Sequence, residues 1–131
     1  MTATFLDDVI VEEEELRTEL GDEQGSFAKV VSLMKDKVSM QEGISYLEQI
    51  SIKHKDNALV HYTLAVAYLC KGNFQLAVSH ANRVLSLLPD LSSGTMLDTL
   101  ELIYATAHDT RNLIVALERR LPQQRAVDRH S

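Results

Sequence analysis

The amino-acid sequence predicts an all-α fold, and three observations lead to that prediction. Glycine and proline, which interrupt helices, occur only five and two times among 131 residues. Leucine, alanine, glutamate and valine dominate the composition. Along most of the chain, apolar residues recur three and four positions apart, as they do on one face of an α helix. The sequence therefore indicates about seven helices joined by short turns, and no segment favours a β strand.

The length and composition are typical of one soluble globular domain, with 45% hydrophobic and 24% charged residues. The formal net charge of −6 is unevenly distributed, because residues 7–23 hold nine acids and one arginine. The rest of the chain offers no basic face, so we expect no nucleic-acid partner. The acidic run Glu12–Glu15 is either a solvated helix face or a docking surface for a basic partner.

The single cysteine, Cys70, excludes an internal disulfide and a cysteine-rich zinc site. Such cysteine usage predicts a reducing compartment, most simply the cytoplasm. Acids stand where the basic region of a signal peptide would lie. The longest apolar run, Leu64 to Cys70, is far shorter than the roughly 20 residues that a membrane span needs. We therefore expect a cytoplasmic protein without a membrane span.

The first helix is predicted over residues 4–20, inside an acidic N-terminal segment that spans residues 1–23. Gly21 suits the C-cap of this helix. A second helix is predicted over residues 26–37. The apolar stripes that define these two helices are Phe5, Val9, Leu16 and Leu20, and then Phe27, Val30, Val31 and Met34.

Caps and breakers delimit the remaining helices. Ser39 is predicted to begin the third helix, with Glu42 completing a capping box, and Asp56-Asn57 is a turn signal. Gly72-Asn73 and Pro89 end the next two helices. These two helices span residues 59–71 and 74–88. A further pair of helices is predicted over residues 96–107 and 110–121. We expect the tail, residues 122–131, to be disordered.

The stretch "ALVHYTLAVAYLCKGNFQLAVSHANRVLSLLPD", residues 58–90, resembles the tetratricopeptide repeat (TPR) family, whose helix-turn-helix units repeat every 34 residues. The resemblance implies a TPR-type superhelix. Small residues at Ala65 and Ala77 would let the two helices of the unit approach closely, and Gly72 would take a positive φ in the turn. The positions that carry the resemblance are Leu64, Ala65, Tyr68, Gly72, Phe74, Ala77 and Pro89.

Two neighbouring units extend this pattern into a TPR-like repeat domain over residues 24–121. One period before the best unit, residues 58–91, the pattern predicts a looser unit over residues 24–57. One period after it, the match requires a slip of two residues, so residues 94–121 are predicted to be a degenerate or capping unit. The residues that match after the slip are Leu100, Tyr104, Leu113 and Leu117.

A weaker resemblance links the chain to the TPR-like domain of mitochondrial fission adaptors, through the segments "YTLAV" and "EGISYLEQI". It implies a concave groove that recruits fission or scaffold proteins. That family ends in a membrane anchor, whereas this sequence ends in "LPQQRAVDRHS". We therefore expect the localisation of the family not to carry over.

The TPR resemblance also implies a partner-binding groove lined by the first helix of the best unit. In other TPR proteins, lysine and asparagine in this groove hold a carboxylate, but here the equivalent residues are apolar or uncharged. Such a groove either takes a helical or extended peptide or is covered by a segment of the protein itself, for which the N-terminal helix is a candidate. The predicted groove residues are Leu59, Tyr62, Thr63, Val66, Leu69 and Cys70.

No motif indicates catalysis, a cofactor or a metal. The sequence lacks a nucleophile elbow, a phosphate-binding loop and a dinucleotide fingerprint, and no two histidines have the spacing of a helical zinc pair. We expect His61 to be a packing residue, His80 to lie on an outer face, and Cys70 to be a buried, inert thiol. The predicted function is a non-enzymatic protein-protein adaptor. The alternative is a structural subunit of a stable complex or homo-oligomer.

Overall fold

The structure of the protein, a computed structural model, describes residues 9, 12–36 and 38–121. Over these residues the fold is all α and contains no β strand, which confirms the predicted fold class. The predicted tail and the first residues of the predicted N-terminal helix lie outside the described residues. The described elements are α1 Glu14–Thr18, a 3₁₀ turn Gly21–Glu23, α2 Gln24–Leu33, α3 Met40–Lys53, α4 Ala58–Lys71, α5 Phe74–Leu87, α6 Thr95–Thr106 and α7 Thr110–Glu118.

Polar side chains fix where three of these helices begin. The side-chain oxygens of Asn57, Asn73 and Asp109 each accept a hydrogen bond from the backbone N–H three residues later, at the starts of α4, α5 and α7. Each such cap contributes about 1 kcal/mol. The capping box predicted between Ser39 and Glu42 is wrong. Ser39 does precede α3, but its hydroxyl donates to a carboxylate in the preceding turn instead.

The predicted N-terminal helix is not continuous over its described part. Glu13 departs from helical geometry, with φ −102° and ψ 56°, so only Glu14–Thr18 forms α1. Gly21 has a positive φ of 54°, which suits glycine, and it opens the 3₁₀ turn that leads into α2. From Glu14 to Glu23, the acidic segment therefore consists of one short α helix and one 3₁₀ turn.

Short turns join the longer helices into three hairpins, α2/α3, α4/α5 and α6/α7. From α2 onward, each helix packs against the next one in sequence, and α4 also packs against α6 and α1. Helix α4 is the most central element, because ten consecutive residues from Ala58 to Ala67 are buried. The sequence of α4 is apolar nearly throughout, and on sequence alone one side of it is predicted to be an exposed groove face. The structure shows that the helix is apolar because it is buried on all sides.

The turns of the last two hairpins have the same geometry. Gly72 in the first and His108 in the second are left-handed, with φ of 80° and 58°. In each turn the N–H of the following cap residue, Asn73 or Asp109, donates to the carbonyl of a tyrosine five residues earlier, at 2.9 Å. The two caps are 36 residues apart, whereas the repeat has a period of 34 residues. The difference equals the slip of two residues that the sequence predicts for the last unit.

Small residues allow the helices of the first two hairpins to approach closely. A Cβ atom built on Gly43 of α3 would lie 2.9 Å from Cγ of Met34, so α2 leaves no room for a larger residue there. The fourth residue after the helix N-cap is Gly43 in α3 and Ala77 in α5, and both are buried. In α7 the same position is Leu113, which is only partly buried, so the last hairpin is less tightly apposed at this point.

The acidic N-terminal segment is attached to the first and second hairpins by polar contacts. Asn57 Nδ2 donates to the carbonyl oxygen of Leu16 at 2.7 Å and to Oε1 of Glu19 at 3.2 Å. Lys53 forms an ion pair with Glu23 at 3.0 Å. Because Asn57 also caps α4, one side chain connects the start of that helix to the backbone of the acidic segment.

Candidate functional site

The predicted groove face on α4 is not open. The side chains of Leu59, Tyr62 and Thr63 are completely buried, and Val66 is 2% exposed. Tyr62 donates its hydroxyl hydrogen to Oγ1 of Thr99 on α6 at 3.0 Å. These four residues belong to the interior of the protein, because α3, α5, α6 and the N-terminal segment surround α4. The alternative prediction, that the protein covers this surface itself, agrees with their burial.

The two remaining predicted groove residues lie at the C-terminal end of α4. Leu69 is partly buried, and Cys70 is exposed. The expectation of a buried thiol at Cys70 is therefore wrong. It rested on the apolar run that precedes Cys70, but the helix leaves the core in its last turn, before Gly72 ends it.

A pair of histidines connects α4 to α5. His61 Nε2 lies 2.7 Å from the carbonyl oxygen of Lys55, which can only accept, so Nε2 carries a proton. In neutral His61, Nδ1 is then an acceptor, and it receives the Nδ1–H of His80 at 3.1 Å. His61 is thus a buried packing residue with both nitrogens satisfied, as predicted. His80 is partly buried in this pair, so its predicted place on an outer face is wrong.

His80 also stacks on Tyr68, with ring centroids 5.8 Å apart, and Tyr68 donates to Oε1 of Glu48 on α3 at 2.5 Å. Burial lowers the pKa of His80, and the neighbouring His61 acts in the same direction, whereas Glu48 opposes both. Burial and the hydrogen bond to Glu48 raise the pKa of Tyr68 to about 12. The cluster joins three helices. In the described part of the chain, no group of three or more metal-ligating residues is present.

The hydrogen bond from Tyr68 has a counterpart at the next junction between hairpins. Tyr104 of α6 donates to Oδ1 of Asn82 on α5 at 2.7 Å. Each tyrosine lies four residues before the left-handed turn residue, and each acceptor, Glu48 or Asn82, lies nine residues after the helix N-cap. The two junctions therefore use the same bond at equivalent positions.

Helix α7 and the residues that follow it expose several apolar side chains. The fifth, eighth and twelfth residues after its N-cap, Asp109, are Ile114, Leu117 and Leu121, which are 50%, 46% and 43% exposed. This spacing places Ile114 and Leu117 on one side of α7, and Leu121 follows in the turn after the helix ends at Glu118. The sequence contains this spacing, but periodicity alone gives no sign of which apolar stripe remains uncovered, so sequence reasoning missed it.

The equivalent residues of the earlier hairpins are covered. In α5 the same three positions are Val78, Ala81 and Leu85, of which the last two are buried and the first is partly buried. In α3 the first two are Ile44 and Leu47, which are also buried. Helices α3 and α5 are each followed by another hairpin that packs against them. No described helix follows α7, so its equivalent face remains open.

Charged residues border this open face on the side of α6. Arg120 forms ion pairs with Asp98 and Glu101, the latter at 2.7 Å. These pairs link α6 to the residues just after α7, and Leu102 on α6 is 43% exposed. An apolar centre with a charged rim is a common arrangement in protein-protein interfaces.

Comparisons with protein-family models, with curated proteins and with solved structures give no match. None of the helices in the described ranges combines the length and the apolar character that crossing a membrane requires.

Proposed function

We propose that this chain is a non-enzymatic adaptor of TPR type that binds another protein. The face of α7 formed by Ile114, Leu117 and Leu121, hereafter the α7 face, would be its binding surface. The observation that carries the proposal is the exposure of Ile114 and Leu117, whose equivalent positions are buried or partly buried in both preceding hairpins. Open apolar patches with a polar border are typical of protein-binding sites.

An amphipathic helix is the partner that fits this surface. Ile114 and Leu117 lie three residues apart on α7, and side-chain rows with this spacing interlock with the grooves of another helix. Peptide recognition by helix packing commonly uses apolar anchors at this spacing. The proposal also includes a cytoplasmic localisation. It is supported by the single cysteine, Cys70, which lies exposed at the end of α4 and suits a reducing compartment.

The test compares the proteins retained by the purified full chain and by two variants. The double variant Ile114→Asp with Leu117→Asp places two charges on the α7 face. Ile52→Asp places one on an exposed apolar residue of α3, which is 79% exposed, and serves as the matched control. We expect a helix-containing partner to be retained by the wild type and by Ile52→Asp, and lost with the double variant. Equal retention by all three proteins would refute the proposal.

The alternative function, a subunit of a stable homo-oligomer, is tested on the same proteins. Sedimentation velocity of the full chain distinguishes a monomer from a dimer. A dimer that dissociates in the double variant, but not in Ile52→Asp, would show that the α7 face takes a second copy. A monomer at all concentrations agrees with the adaptor.

A further inference from the structure

Both described junctions between hairpins contain the same pair of residues. In α4 the pair is Leu64 and Tyr68, and in α6 it is Leu100 and Tyr104, four residues apart in each case. The leucine is completely buried in both helices. The tyrosine hydroxyl donates to the preceding hairpin, to Glu48 from α4 and to Asn82 from α6.

Helix α7 carries the complementary half of this junction. Nine residues after its N-cap stands Glu118, in the position of Glu48 in α3 and Asn82 in α5. Beside it in sequence are Leu117 and, three residues further on, Leu121, where α5 has Ala81 and Leu85. A carboxylate has about four acceptor sites, so Glu118 can receive a hydroxyl in addition to other donors.

We infer that the partner helix binds α7 as α6 binds α5, and that it carries a Leu-x-x-x-Tyr pair. Its leucine packs on the α7 face, and its tyrosine hydroxyl donates to Glu118. This inference rests on the proposed function and deepens it by naming the chemistry of the partner. The inference extends a pattern of the chain itself, because the junctions between α3 and α4 and between α5 and α6 already use this pair.

The described residues of a second copy of this chain do not offer an available Leu-x-x-x-Tyr pair. Its two Leu-x-x-x-Tyr helices, α4 and α6, already use their leucines in the core and their tyrosines in bonds to Glu48 and Asn82. A folded copy would have to give up one of these junctions to supply the pair. Between these two occupants, we assign the α7 face to a helix of a different protein.

The probe for this test is the sequence of α6 itself, the peptide "TMLDTLELIYAT" of residues 95–106, with acetylated and amidated ends. It is titrated into isotope-labelled full chain and followed by NMR. We expect shifts that centre on α7 and that grow with peptide concentration into the millimolar range. A second peptide, with phenylalanine in place of the tyrosine, should bind about five- to tenfold more weakly, because it lacks a hydrogen bond to a charged acceptor.

The variant Glu118→Ala serves to assign that bond. If the tyrosine donates to Glu118, the two peptides should bind this variant with equal affinity, and its helical circular dichroism should match that of the wild type. Equal binding of both peptides to the wild type would overturn the inference. Shifts centred on α5, which mean that the peptide replaces the chain's own α6, would also overturn it, as would an absence of binding.

These outcomes are separate from those of the proposed function. The α7 face would still be a binding surface if the two peptides bound equally and Ile114→Asp with Leu117→Asp abolished both interactions. The proposed function fails only if partner retention is insensitive to that double variant. A dimer that dissociates in the double variant would show that a second copy occupies the face, and would overturn the inference.

Discussion

Replacement of Tyr62 distinguishes a core residue from a groove residue. Tyr62 is completely buried in α4, and its hydroxyl donates to Oγ1 of Thr99 at 3.0 Å. Truncation of a buried aromatic side chain costs about 3–5 kcal/mol. We therefore expect Tyr62→Ala to lower the free energy of unfolding by that amount, out of the roughly 5–15 kcal/mol that domains possess. Tyr62→Phe keeps the ring and should cost only about 1 kcal/mol, for one hydrogen bond.

Urea denaturation followed by circular dichroism measures these differences, with the slope of the transition as a check on two-state behaviour. Tyr46→Ala on α3 is the matched control, because Tyr46 is 40% exposed and its ring lies 5.9 Å from Nζ of Lys29. Its cost should stay below about 1 kcal/mol. If Tyr62→Ala cost less than about 1 kcal/mol, the side chain would not be in the core, and the closed α4 surface would be wrong.

Two further predictions concern His80 and the hairpin turns. Burial lowers the pKa of His80, so the unfolded state binds a proton at higher pH than the folded state does. Stability should therefore fall as the pH drops below about 6.5. Denaturation curves at several pH values should show a weaker pH dependence for His80→Gln, and an unchanged dependence would contradict this prediction. Gly72 and His108 both have positive φ, which glycine adopts more readily than other residues. Gly72→Ala should therefore lower the free energy of unfolding by about 1 kcal/mol, and His108→Gly should raise it slightly. Thermal melts in which Gly72→Ala is the more stable of the two variants would show that the turns differ.

The sequence predicts the helices well, because the local signals are strong. Asn57 and Gly72 delimit α4 as predicted, since a cap and a left-handed turn act within a few residues of the chain. The slip of two residues before the last hairpin is likewise visible in the sequence, through Leu100 and Tyr104. By contrast, the capping box at Ser39 fails because Asp36, in a competing turn, offers the hydroxyl another acceptor.

The sequence predicts the candidate site poorly, because exposure depends on distant parts of the chain. Tyr62 has the spacing of a groove residue, but α6 supplies Thr99 from 37 positions away and covers it. His80 lies on the polar side of α5 by pattern, but α4 places His61 against it. Conversely, Leu117 has the spacing of a core residue, and its exposure follows only from the lack of a described helix beyond α7.

The size of the α7 face sets the strength of the interaction that we propose. Complete burial of a leucine or isoleucine contributes about 1.5–3 kcal/mol, so covering the exposed half of Ile114, Leu117 and Leu121 contributes about 2–5 kcal/mol in total. Association itself costs about 4 kcal/mol or more, so the apolar stripe alone cannot hold a partner tightly. The α6 peptide should accordingly bind with a dissociation constant near or above about 1 mM. A natural partner that binds in the micromolar range must also bury Leu102 and the rim around Arg120, so Leu102→Asp should weaken such a partner while leaving peptide binding nearly unchanged.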